Sequence, residues 1–150
     1  MKHRSLDDLL VEADVAAATP LTRRDKLLRW AELLASLGAK GLPTLASVEY
    51  MPEPERFGLR KDNSALSVAF ADPVLRNAGL RDDTYGAALE FFELSHGQLH
   101  RLTCRCHYGL SAPAERVAHR VRDLSTSMSA RLAEAVSRLA QATRALFAPA

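Results

Sequence analysis

The feature that most constrains this chain is a repeated local grammar. A small polar residue is followed by apolar residues three and four apart, and the run ends at Gly or Pro. Ser5, Thr22, Asp62 or Ser64, Asp72, Asp82 or Asp83, Ser95 and Ser111 each open such a run. A side-chain oxygen at each position can accept from a free amide of a first helical turn. Period-two alternation is nearly absent. The expectation is an all-α fold, a compact single-domain bundle of about six to eight helices, some of them short.

Taken in order, helices are expected over about 6–17, from Thr22 to Gly38, to Phe70, from Pro73 to Gly79, and over 84–93. Thr22 has Asp25 three positions on, and Asp72-Pro73 places Pro at a first helical position, where no amide donor is needed. In the second helix Leu27, Leu28, Ala31, Leu34 and Leu37 form the stripe, with Trp30 on its edge. Residues 39–63 are a long irregular connection broken by Pro43, Pro52 and Pro54. Leu45 to Met51 suits a short extended piece, and Pro52-Glu53-Pro54-Glu55 suits an extended, exposed one. Leu45, Val48, Tyr50 and Phe57 are the side chains expected to pack the loop.

The richest stretch chemically is Ser95 to Gly109, SHGQLHRLTCRCHYG, with three of five histidines and both cysteines. Ser95 and Gln98 form a capping box, and Gly109 is the expected stop. On one continuous helix, at about 100° per residue, His96, His100, Cys104 and His107 share an arc. Leu99, Leu102 and Cys106 share the core arc. Cys106 is then a buried hydrophobe and Cys104 the accessible thiol. Two residues apart on a helix, the cysteines could neither bond nor share an ion, unless the helix ended near Cys104.

His96, His100, Cys104 and His107 are therefore the candidate metal ligands, since imidazole and thiolate suit zinc or another transition metal. One helix encloses a tetrahedral ion poorly, so a carboxylate or His from elsewhere is needed. The CRCH string lacks the two-residue spacing of haem attachment. Cysteine catalysis at Cys104 would need an orienting acid and an oxyanion site, and neither is visible.

Ala87 to Leu102, AALEFFELSHGQLHRL, resembles a helix-turn-helix. The resemblance lies within 84–104 and implies a nucleic-acid-binding regulator reading a groove with Gln98, His100, Arg101 and Arg105. It departs at the turn, where Glu93 replaces the usual Gly and joins Glu90 near the phosphates.

Further on, Val117, Val121 and Leu124 continue at helical spacing, with a weak patch over Ser125–Ser129. Leu132, Ala135, Leu139, Ala142 and Leu146 then make a short heptad-like seam. Residues 126–150 are an expected self-association helix, with a homodimer through 128–147. A net charge of +2, 47% hydrophobic and 25% charged residues suit a globular domain, and the charge alone does not argue for nucleic acid. No apolar run spans a membrane, and two cysteines without a secretory leader suit the reducing cytoplasm. The favoured function is a non-catalytic, self-associating interaction module with no cofactor. Metal binding and nucleic-acid binding are the alternatives.

Overall fold

The computed structural model describes residues 19–126 and Val136. The expected helix over 6–17 and, apart from Val136, the seam over 128–147 lie outside the described residues. The described part is all-α, with eight α-helices and one small two-stranded sheet. In chain order these are α1 (Arg23–Ala35), β1 (Gly41–Pro43), a 3-10 turn (Val48–Tyr50), α2 (Glu53–Phe57), α3 (Ala65–Ala71), α4 (Pro73–Asn77), α5 (Tyr85–Phe92), α6 (His96–Thr103), α7 (Arg105–Tyr108), β2 (Ser111–Pro113) and α8 (Ala114–Ser125). Among the described residues no helix is long and apolar enough to cross a membrane.

The capping chemistry starts most helices. Thr22 accepts from the Asp25 amide while Asp25 accepts from the Thr22 amide, a complete capping box. Ser64 rather than Asp62, Asp72, and Thr84 rather than Asp82 or Asp83 each accept from an amide three residues on, while Asp82 accepts from the Thr84 amide. Gly38, at φ 59°, takes the left-handed turn that follows α1.

The core lies between α1 and α8. Leu27, Trp30, Ala31 and Leu34 meet Ala114, Val117, Ala118 and Val121, and all are sealed from solvent. Trp30 belongs to the centre of this core and not to its edge. Its ring stacks on Phe92 with centroids 4.5 Å apart, and its Nε1 donates to the Ala65 carbonyl at 3.0 Å. The indole thus buries apolar area and satisfies its polar atom at the same point.

Three expectations are corrected here. Ser111 does not cap a helix: residues 111–113 pair antiparallel with 41–43, in the register Leu42 to Ala112. Helix α8 instead starts at Ala114, whose amide donates to the Lys40 carbonyl, as the Glu115 amide does to Gly38. The β1 side therefore supplies the acceptors that a capping side chain would otherwise provide. The approach is close enough that a Cβ on Gly41 would lie 2.2 Å from Ser111 Oγ. Next, Pro52-Glu53-Pro54-Glu55 is exposed but not extended. Glu53 opens α2, and Pro54 stands in the first turn, where its missing donor costs nothing. Finally, Leu45 to Met51 is a single bridge residue and a 3-10 turn. Leu45 and Val48 are buried there, while Tyr50 is exposed.

Candidate metal centre

The single helix expected over 96–109 does not form. Helix α6 stops at Thr103, Cys104 is extended (φ −79°, ψ 143°), and α7 begins at Arg105. The cause is tertiary. Leu45 inserts its backbone beside the break, with its amide donating to the Thr103 carbonyl at 2.9 Å. Its carbonyl accepts from the Arg105 amide at 2.8 Å. Those bonds replace the helical ones the break gives up.

The break reverses the expected roles of the cysteines. Cys104 is fully buried and Cys106 is exposed. With one extended residue between helical stretches, both thiols turn to the same side, and their sulfurs lie 3.2 Å apart. The geometric bar to sharing a ligand disappears with the helix that imposed it.

Glu49, on the 3-10 turn, completes the group. Its Oε2 lies 3.3 Å from Cys104 Sγ and 3.4 Å from His100 Nε2. His100 Nε2 is in turn 3.6 Å from Cys106 Sγ. One donor atom from each of Glu49, His100, Cys104 and Cys106 fits within 4.8 Å of every other. The Leu45 bridge is what carries the turn to this place, 51 positions from His100 in sequence.

The other histidines of the predicted row lie around this group. His107 Nε2 meets His100 Nδ1 at 3.2 Å, on the opposite edge of the ring from Glu49. It therefore orients His100 with Nε2 toward the sulfurs and the carboxylate. His96 serves elsewhere. Arg56 Nη1 lies 2.9 Å from His96 Nε2, and Tyr85 Oη lies 2.8 Å from Nδ1. Arg56 can only donate, so Nε2 accepts and Nδ1 carries the proton. The Tyr85 hydroxyl accepts that proton and donates its own to the His96 carbonyl at 3.1 Å. This pins α2 to the start of α6, helped by Gly86, where any side chain would collide with Phe57. Of the predicted ligands, His100 and Cys104 are thus in the group, while His107 and His96 are not. Cys106 and Glu49 were not among the predicted ligands.

Electrostatics follow the burial. Burial pushes the Cys104 thiol up to about 12, opposed by the Cys106 backbone hydrogen bond and reinforced by the Cys106 and Glu49 side chains. In the metal-free chain Cys104 is a thiol at neutral pH, so it is not the sulfur that attacks a substrate or oxidant first. The Glu49 carboxyl is held below its ordinary value by its own backbone amide first, then by Cys104 and His100. Burial lowers the His107 imidazole, with His100, Arg120 and Arg101 adding to the effect, so its neutral form is favoured.

The residues that resemble a recognition helix are distributed differently. Gln98 closes the Ser95 capping box, and Arg101 is exposed on α6. Arg105 lies past the break on α7, so these side chains do not follow one continuous helix.

No protein-family model, curated protein or solved structure matches this chain.

Proposed function

We propose that this chain is a transition-metal-binding protein, with zinc the best-fitting ion, held by Glu49, His100, Cys104 and Cys106. The observation that carries the proposal is the donor spacing. Bonds of about 2.0–2.3 Å to a tetrahedral ion separate its ligand atoms by roughly 3.3–3.8 Å. The close donor pairs here lie 3.2, 3.3, 3.4 and 3.6 Å apart. Three of these fall in that range, the sulfur pair lies just below it, and all four donors lie within 4.8 Å of one another, so small side-chain adjustments bring them around one ion.

The chemistry of the set agrees. Two thiolates favour soft and borderline ions, and one imidazole with one carboxylate favours Zn²⁺ over Cu⁺. His107 is placed to accept from His100 Nδ1–H, so that His100 Nε2 offers its lone pair inward. Four protein donors fill a tetrahedral shell and leave no position for a substrate, which marks a structural rather than a catalytic site. The ion would tie the 3-10 turn to the α6–α7 break, fastening the otherwise irregular 44–52 connection to the core.

Elemental analysis of the purified full chain, followed by zinc titration against a chromogenic chelator, tests this. One zinc per chain is expected, with binding abolished in Cys104→Ser and weakened in Glu49→Gln. A chain that loads no zinc, or that binds it equally after both substitutions, overturns the proposal.

A further inference from the structure

We infer that the Cys104–Cys106 pair is also a peroxide-sensitive dithiol, whose oxidation to an intramolecular disulfide releases the ion. The ion-release half rests on the metal site proposed above. The disulfide half rests on the thiol geometry alone.

The sulfurs are 3.2 Å apart, and only a single residue separates them in sequence. Bond formation requires that gap to close to about 2.05 Å, a movement of roughly one ångström. Two features make the movement local. Cys104 sits in an extended link between two helical segments, so its neighbours are not locked into one rigid helix. Helix α7, which carries Cys106, is four residues long, and Cys106 itself is exposed.

The pair is also unequal. An oxidant in solution reaches Cys106 but not Cys104, which has no exposed surface. Cys106 is therefore the attacking sulfur and Cys104 the resolving one. In the first step the Cys106 thiolate attacks an oxygen of a hydroperoxide. The O–O bond breaks, the alkoxide or hydroxide leaves and takes a proton, and Cys106 becomes a sulfenic acid. In the second step Cys104 sulfur attacks Cys106 sulfur, the S–O bond breaks, and the hydroxide leaves as water, taking the Cys104 proton in the metal-free chain or a proton from solvent in the zinc-loaded one, where Cys104 is already a thiolate. Altogether two thiols and one hydroperoxide give one disulfide, one alcohol (or water) and one water. The pair loses two electrons and the peroxide gains them.

A disulfide cannot supply two thiolates. The site would keep only Glu49 and His100, half its donors and one of its three negative charges. Soft-ion affinity collapses accordingly, and thiol exchange restores both sulfurs.

The test treats full-length protein, zinc-loaded and metal-free, with hydrogen peroxide. Zinc loading is scored before the oxidant is added, so failure to load counts against the metal site alone. Intact mass, free thiols and released zinc are then followed together. Expected are loss of two hydrogens with no added oxygen, joint loss of both thiols, release of one zinc per disulfide, and full reversal by dithiothreitol. In Cys104→Ser a sulfenic acid should accumulate at Cys106 and be trapped by dimedone. Cys106→Ser, an exposed and conservative change, should leave Cys104 unmodified by the same treatment. Stepwise oxygen addition at Cys106 with Cys104 still a thiol, disulfides between chains, or a disulfide that leaves zinc bound would each overturn the inference.

Discussion

Leu45 and Cys104 are joined by a parallel backbone bridge, in which Leu45 bonds to the residues on either side of Cys104. That bridge breaks the helix, turns both thiols the same way and carries Glu49 to His100. Leu45→Pro removes the amide that serves Thr103 and leaves a carbonyl unsatisfied beside a buried side chain. The expected cost is about 1–3 kcal/mol in chemical denaturation, with a parallel loss of zinc affinity. Leu45→Val keeps both backbone bonds and should keep most of the affinity.

The histidine row separates by role. His107→Phe removes the group that orients His100 and should weaken zinc binding by about 10–100-fold. His96→Gln should leave the affinity within a few-fold of the parent while lowering stability, because His96 serves Arg56 and Tyr85. Competition titrations on the two variants check this, and equal losses would contradict it.

Asp72 caps α4 and accepts from Arg29 Nη2 and Nε, at 2.9 and 3.2 Å. Arg29 chiefly, with the Leu75 amide, holds its carboxyl below the ordinary value despite burial. Its folded pKa is depressed, so its contribution is present above the unfolded pKa of about 3.9 and is lost as pH falls through the folded value. Asp72→Asn keeps a capping oxygen and removes the charge. Arg29 is 40% exposed, so the loss at neutral pH should be modest, roughly 1 kcal/mol. The difference between the two proteins should shrink below about pH 4 in urea melts, as Asp72 protonates.

Trp30 carries a different kind of stability. Trp30→Phe keeps a ring against Phe92 but removes the indole bond to the Ala65 carbonyl and part of the buried ring area. The expected loss is about 1–3 kcal/mol, read as a lower urea midpoint at unchanged slope.

What was legible in the sequence was local. Thr22–Asp25, Ser95–Gln98 and Asp72-Pro73 each satisfy helix-end amides from within four residues, so the cap can be read directly. The break at Cys104 is not local: Arg105 and Thr103 trade helical bonds for bonds to Leu45, and nothing within the SHGQLHRLTCRCHYG stretch encodes Leu45. Extending the 3.6-residue period through Cys104 therefore put the thiols on the wrong faces. Glu49 was hidden for the same reason. Its one signal was position, inside a connection too long for a simple link. His100 and Cys104 were found because residue chemistry alone singled them out.

The most direct measurement of the central claim is the absorption spectrum of the chain titrated with Co²⁺ in place of zinc. Cobalt in a tetrahedral site with two thiolates gives intense visible d–d bands and near-ultraviolet sulfur-to-metal charge transfer. The account predicts both, saturating at one ion per chain, losing charge-transfer intensity by about half in Cys106→Ser and bleaching when zinc is added. A weak octahedral spectrum without charge transfer, or one unchanged in Cys106→Ser, would contradict it.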